Sequence, residues 1–378
     1  MAPLEPWEKV LVEDEFTSTV HGEVLCTTCH EGAQSPNKDE AHINMISDPS
    51  AAPNQGCQMC HSTEAETFEN SLHSNLNGYW TAIDARSAPE DHQALESMFG
   101  NHCSSCHTTC GDCHVSQPNS VGGGLIDGHN VKKTPSMTRN CTACHGSRIG
   151  SEYLGKHEDL PGDVHFRQGR MNCVDCHTGM EMHDSTGTCT ECHTTPEEAE
   201  LLNNLDRYSG AQIPSCESCH ETVGASGDAN PQHLLHQEKL SCQVCHSISY
   251  TSCDGCHVAV SEETGNPFFS TEGSYLNFLI GQNSDPNYHR PYEYVPVRHI
   301  PVDTESYAFY GENLLSNFDA KPTWEYTTPH NIQRNTPQNE SCDACHGNEE
   351  IFLTADKVSP EELQANQGVI IDEVPPLK

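Results

Sequence analysis

The chain has no apolar run long enough to cross a bilayer. Its longest candidates, YLNFLIG and VIIDEV, stop far short of the roughly 20 residues that a spanning helix needs. MAPLEPWEKV likewise lacks the apolar centre of a signal peptide. Positive charge is scarce: 18 Lys and Arg stand against 55 Asp and Glu, a net charge of -37. That balance excludes nucleic acid and anionic membrane surfaces as partners. Hydrophobic residues make up 34% and aromatics 6%, too little for a conventional core in 378 residues. No EF-hand loop is present, although so many carboxylates suit Ca2+, so calcium is expected only as a second cofactor without named ligands.

What the chain does have is 22 cysteines and 25 histidines. The stretch HCSSCHTTCGDCH, residues 102–114, shows how they are arranged. Cys-x-x-Cys-His recurs eleven times and uses every cysteine. The first six motifs are Cys26, Cys29 and His30; Cys57, Cys60 and His61; Cys103, Cys106 and His107; Cys110, Cys113 and His114; Cys141, Cys144 and His145; and Cys173, Cys176 and His177. The other five are Cys189, Cys192 and His193; Cys216, Cys219 and His220; Cys242, Cys245 and His246; Cys253, Cys256 and His257; and Cys342, Cys345 and His346.

Zinc would need half-sites paired at a reproducible separation. The gaps run 26, 41, 2, 26, 27, 11, 22, 21, 6 and 84 residues, with no pairing rule. A disulfide framework gives no reason for a histidine after every second cysteine. The motif is the attachment signature of c-type haem, two thioethers and one iron ligand. Eleven covalent haems are therefore expected, and their apolar plates replace most of the missing core. Haem is attached outside the cytoplasm, so the protein is expected to be exported, to the cell surface, the surroundings or the periplasm, with its signal peptide already removed.

The fold expected is mostly irregular, with short α-helices, little β and a haem-dominated core. Residues 1–257 are haem-dense and carry ten motifs. Residues 258–341 lack cysteine but hold seven of the eleven tyrosines and five of the ten phenylalanines, as expected of short β segments covering a haem or forming an interface. Residues 342–378 carry the last motif and a tail. Capping signatures predict helices at Ser87-Ala88-Pro89-Glu90, closing at Gly100, and at Thr195-Pro196-Glu197-Glu198 and Ser359-Pro360-Glu361-Glu362.

Each motif supplies one axial ligand, and the second decides between closed electron-transfer iron and an open substrate site. Fourteen histidines lie outside the motifs. His21, His129, His165, His183 and His236 are expected ligands from their positions beside motifs or the glycine loop. His102 ranks above His92, and His42 completes the supply. His92, His157 and His289 are the expected spares.

Segments such as CTACHGSRIGSEYLG, GDVHFRQGRMNCVDCHTGMEMH, HLLHQEKLSCQVCH, VRHIPV and PTWEYTTPHNIQRNTPQNESCDACHGN resemble the large multihaem c-type cytochromes of anaerobic respiring prokaryotes. That resemblance implies bis-histidine ligation and electron transfer along touching haems. It further implies distal roles for His73, His129, His165, His183, His233, His236, His299 and His330. Some relatives polymerise into extracellular filaments. The expected function is electron transfer, with redox proteins and an extracellular acceptor such as a metal oxide as partners, and a head-to-tail homopolymer as the assembly. The alternatives are a soluble carrier or, less in keeping with eleven intact motifs, a reductase of nitrogen or sulfur oxyanions.

Overall fold

The structure is a computed structural model that describes residues 12–51, 56–75, 77–102, 108–183, 214–225, 227–254, 257–271, 273–286, 290–300 and 304–377. The third and seventh motifs, Cys256, His289 and the helix predicted at Thr195 lie outside the described residues.

Five residues are one helical turn, and the motifs use that turn. Cys26–His30, Cys110–His114, Cys173–Cys176 and Cys242–His246 are single-turn helices. In others the histidine N–H closes the same turn, bonding Cys57 O from His61 at 2.9 Å, Cys216 O from His220 at 2.9 Å and Cys342 O from His346 at 2.8 Å. Positions i, i+3 and i+4 share a helix face, so both thiols and the imidazole point one way. Isolated turns this short are unstable, and neighbouring polar residues cap them. Thr109 and Asp112 form a capping box, as do Asn172 and Asp175. The tenth motif differs: Cys253 lies in a strand and His257 begins the next.

Among the described residues, the strands all fall after residue 249. β1 (Tyr250–Asp254) pairs antiparallel with β4 (Gly273–Asn277), and β2 (His257–Val260) with β3 (Pro267–Ser270). β5 (Leu279–Gln282), β6 (Tyr294–His299) and β7 (Trp324–Tyr326) form a three-stranded antiparallel sheet. The architecture is thus short helices, little strand and much irregular chain.

Apolar packing is uneven. Between residues 99 and 243 no described Val, Ile, Leu, Met, Phe, Tyr or Trp is buried. The cysteine-poor remainder does form conventional apolar clusters, so the polypeptide supplies part of a core by itself. Leu95 and Met98 pack with Tyr307, Leu314 and Leu315. Val295, Val297, Trp324, Leu353 and Val369 form a second cluster, and Val244, Ile280, Phe352 and Ile371 a third.

Two helix predictions need correcting. The helix at Pro89 begins as a 3-10 turn, Pro89–Asp91, and continues as His92–His102, past Gly100. Residues after Ser359 form successive turns instead of a helix. There Asn366 donates its side-chain amide to Thr323 Oγ1 and Glu362 O and accepts from Trp324 N–H, and these tertiary bonds outcompete the capping signal. Among the described residues, no helix is long and apolar enough to cross a membrane.

Candidate metal centres formed by histidine pairs

Eight motif histidines each face one histidine from outside the motifs. His30 pairs with His129 at 5.8 Å between ring centres, His61 with His21 at 6.2 Å, and His114 with His183 at 6.1 Å. His145 pairs with His73 at 6.3 Å, His177 with His330 at 6.3 Å, and His220 with His165 at 6.0 Å. His246 pairs with His233 at 6.1 Å and His346 with His236 at 6.4 Å.

The separation is nearly constant while the angle between planes runs from 7° to 82°. Direct ring contact would couple angle to distance. Two imidazoles aimed along one axis at a common atom keep their separation as each turns about that axis. With metal–nitrogen bonds of about 2.0 Å and about 1.2 Å from nitrogen to ring centre, a linear arrangement places the centres about 6.4 Å apart and a tetrahedral one about 5.2 Å. Seven pairs lie nearer the linear value and His30–His129 lies midway, so these residues could hold one metal between two imidazoles. Zinc would require further protein ligands, yet among the described residues no group of three or more His, Cys, Asp or Glu is placed to hold a metal ion. In c-type haem the porphyrin supplies the other four nitrogens. The described cysteines form no disulfides.

Orientation supports the same fit. Nδ1 donates to a backbone carbonyl from His30 (Ile46, 2.7 Å), His114 (Lys132, 2.6 Å), His183 (Gly179, 2.7 Å), His236 (Gln232, 2.9 Å), His246 (Gln333, 3.1 Å), His330 (Thr328, 2.8 Å) and His346 (Pro376, 3.0 Å). Three other Nδ1 atoms meet carboxylates: His177 meets Glu181 Oε1 at 2.8 Å, His165 meets Asp163 Oδ1 at 3.1 Å and His233 meets Asp228 Oδ2 at 2.7 Å. A bond at Nδ1 fixes the tautomer and leaves Nε2 to bind metal. Desolvation pushes His330 down to about 4, so it is neutral at pH 7. His145 also falls to about 4, chiefly from desolvation, although its ring reaches the surface, so the more enclosed His330 is the better guide.

The remaining histidines sit differently. Tyr310 Oη lies 2.9 Å from His102 Nε2, Glu362 Oε1 lies 3.0 Å from His299 Nε2, and Thr251 Oγ1 lies 3.1 Å from His157 Nε2. His92 Nε2 approaches Asp84 at 3.8 Å, and His42 is exposed at the end of the turn Lys38–Ala41. Of the expected distal set, the structure brings His21, His73, His129, His165, His183, His233, His236 and His330 opposite motif histidines. His42, His102 and His299 are not seen opposite one among the described residues.

The motifs also meet one another. Cys57 lies beside Cys110, Cys141 beside Cys173 and Cys216 beside Cys242, each close enough to shift the other thiol. Cys29 lies close enough to feel Cys57 and Cys60, Cys113 to feel Cys144, Cys176 to feel Cys219 and Cys216, and Cys245 to feel Cys345. These contacts run through motifs one, two, four, five, six, eight, nine and eleven in order.

The carboxylates Glu181, Asp163 and Asp228 were not singled out by the sequence reading. Their signal was local: Asp-x-His at 163–165, His-x-x-x-Glu at 177–181, and an aspartate five residues before His233. Comparison with protein-family models, curated proteins and solved structures returns no match.

Proposed function

We propose that this chain transfers electrons along a line of closely spaced, bis-histidine c-type haems and that it is not an enzyme. The observation that carries this reading is the eightfold recurrence of a motif histidine opposite a second histidine at 5.8 to 6.4 Å. Each thiol pair would hold a porphyrin, and each facing pair of imidazoles would close its iron to substrate. When bound, the haems supply one-electron couples; the polypeptide sets their order, spacing and ligation. Because successive motifs touch through their cysteines, the attached plates would follow one another at short range. His42, His102 and His299 complete the proposed ligand supply for the other three haems. Haem analysis and the visible spectrum of the oxidised protein test this reading. Eleven low-spin haems per chain support it, and a high-spin haem in the untreated protein would favour a reductase.

The protein is further proposed to be exported, to exchange electrons with redox proteins or an extracellular acceptor such as a metal oxide, and to assemble head to tail. What supports the assembly is that the line of motif contacts begins at motif one and ends at motif eleven. A heterologous contact between such ends that does not close gives an open filament.

A further inference from the structure

On the reading that the paired histidines are haem ligands, the acceptors at Nδ1 fall into two chemical classes. Among the described residues the carboxylates are confined to the middle of the line, where His330 and His246 still donate to the carbonyls of Thr328 and Gln333. Toward motif one, His30, His114 and His183 donate to peptide carbonyls. At the other end, His236 and His346 do the same. The carboxylates lie between. Glu181 accepts from His177 of the sixth motif, Asp163 from His165 opposite the eighth, and Asp228 from His233 opposite the ninth. The sixth, eighth and ninth motifs are consecutive in the line: Cys176 lies beside Cys216 and Cys219, and Cys216 lies beside Cys242.

A carboxylate at Nδ1 draws the imidazole proton towards itself and makes Nε2 a stronger donor, which favours the ferric over the ferrous iron. A peptide carbonyl, with only a partial charge, does this much less. We infer that Glu181, Asp163 and Asp228 make the middle of the line harder to reduce than its two flanks. Reduction is one electron per site, Fe(III) to Fe(II), taken from a one-electron reductant, with every iron–imidazole bond kept and the Nδ1 proton left in its hydrogen bond. A partly reduced chain then stores electrons on its flanks, and the three central sites form a step that they must cross.

The three carboxylates are not equal. Asp163 also accepts backbone N–H groups from His165, Phe166 and Ile332, which share its charge, and its contact to Nδ1 is the longest of the three. Glu181 and Asp228 make the shorter contacts, and Asp228 too shares its charge with the backbone N–H groups of Gly224 and Asn230, so Glu181 carries most of the effect. On the other side of the sixth site, Arg148 acts on the His330 ring, while Glu152 accepts the His330 backbone N–H.

The test uses Glu181→Gln and Asp228→Asn in the intact haem-loaded protein, since an amide oxygen still accepts from Nδ1 without the charge. Spectroelectrochemical titration with viologen mediators reads the potentials, while haem content and spin state are recorded alongside. Glu181→Gln is expected to raise one electron equivalent of the low-potential limb by about tenfold in its reduction constant, about 59 mV for one electron, and Asp228→Asn by less. A control, Glu262→Gln on the exposed β2–β3 turn, is expected to leave that limb in place. Asp228 also anchors the loop at Gly224, so if Asp228→Asn does not fold, Glu181→Gln decides alone. Full low-spin haem content with an unmoved limb, or a limb moved equally by the control, overturns the inference. Wild-type protein lacking haem or low-spin iron overturns the underlying reading instead.

Discussion

The rings of His114 and His183 lie 6.1 Å apart and within 7° of parallel. Gly179 holds one by a hydrogen bond to Nδ1, and Lys132 holds the other. The two rings are thus held from outside, each by a carbonyl at Nδ1 that leaves Nε2 without the proton. Replacing His183 by alanine removes one of the two. The expected result is a single high-spin haem with the rest of the spectrum intact, and His165→Ala should behave alike. His157→Ala loses only a bond to Thr251 and should leave spin state unchanged; a high-spin signal there would contradict the assignment.

Proton competition gives a second expectation. Desolvation lowers His330 to about 4, against about 6.5 in an unfolded chain. With the folded value depressed, the unfolded state binds more protons between those limits. The stability contributed by the neutral ring is therefore full above about pH 6.5 and lost as pH falls towards 4. Iron competes with the proton and moves the transition lower still. His330 should thus remain neutral at pH 5, while His177, raised by its hydrogen bond to Glu181, is the ring of that pair that protonates first. An acid titration of the low-spin absorption whose midpoint is unchanged in Glu181→Gln would contradict this.

Chain produced without haem attachment should keep structure only where apolar clusters exist. Limited proteolysis is expected to cut rapidly between residues 108 and 239 and to spare the region from Val244 to Ile371, which holds two of the clusters. A single cooperative transition of the whole haem-free chain would contradict this.

Arg86 is only 1% exposed and donates to Ala82 O, Phe318 O, Pro322 O and Glu325 Oε1. It fastens residues 317–325 to the helix Asn77–Asp84. Arg86→Ala strands Glu325 and three carbonyls, at an expected cost of about 3–5 kcal/mol. Denaturant unfolding of the haem-loaded protein measures it, and a loss under about 1 kcal/mol would show that the fastening is superficial.

Assembly must overcome the repulsion of -37 charges per chain, which salt screens. Electron microscopy at moderate and low ionic strength, with and without a chelator, should show filaments favoured by salt or divalent cations. Monodisperse single particles under every condition would leave a soluble carrier.

The motif histidines and the set from which their partners come were legible in the sequence, because Cys-x-x-Cys-His has fixed local geometry. The partnerships were not. His21 precedes Cys26 by five residues yet faces His61, His165 precedes Cys173 yet faces His220, and His236 precedes Cys242 yet faces His346. If each motif carries a haem, as proposed, a second ligand must approach from the opposite side of a wide plate, which a loop of five to eight residues would not span. Each nearby histidine therefore serves a different motif, and the pairs stitch together segments as remote as His177 and His330. The Ser359 helix failed for a related reason: local capping lost to the tertiary bonds of Asn366.

The most direct measurement is haem stoichiometry combined with low-temperature electron paramagnetic resonance on the purified, fully oxidised protein. The account predicts eleven haems per chain and signals from low-spin ferric iron alone. A chain carrying zinc, substantially fewer haems, or high-spin iron as purified would contradict it.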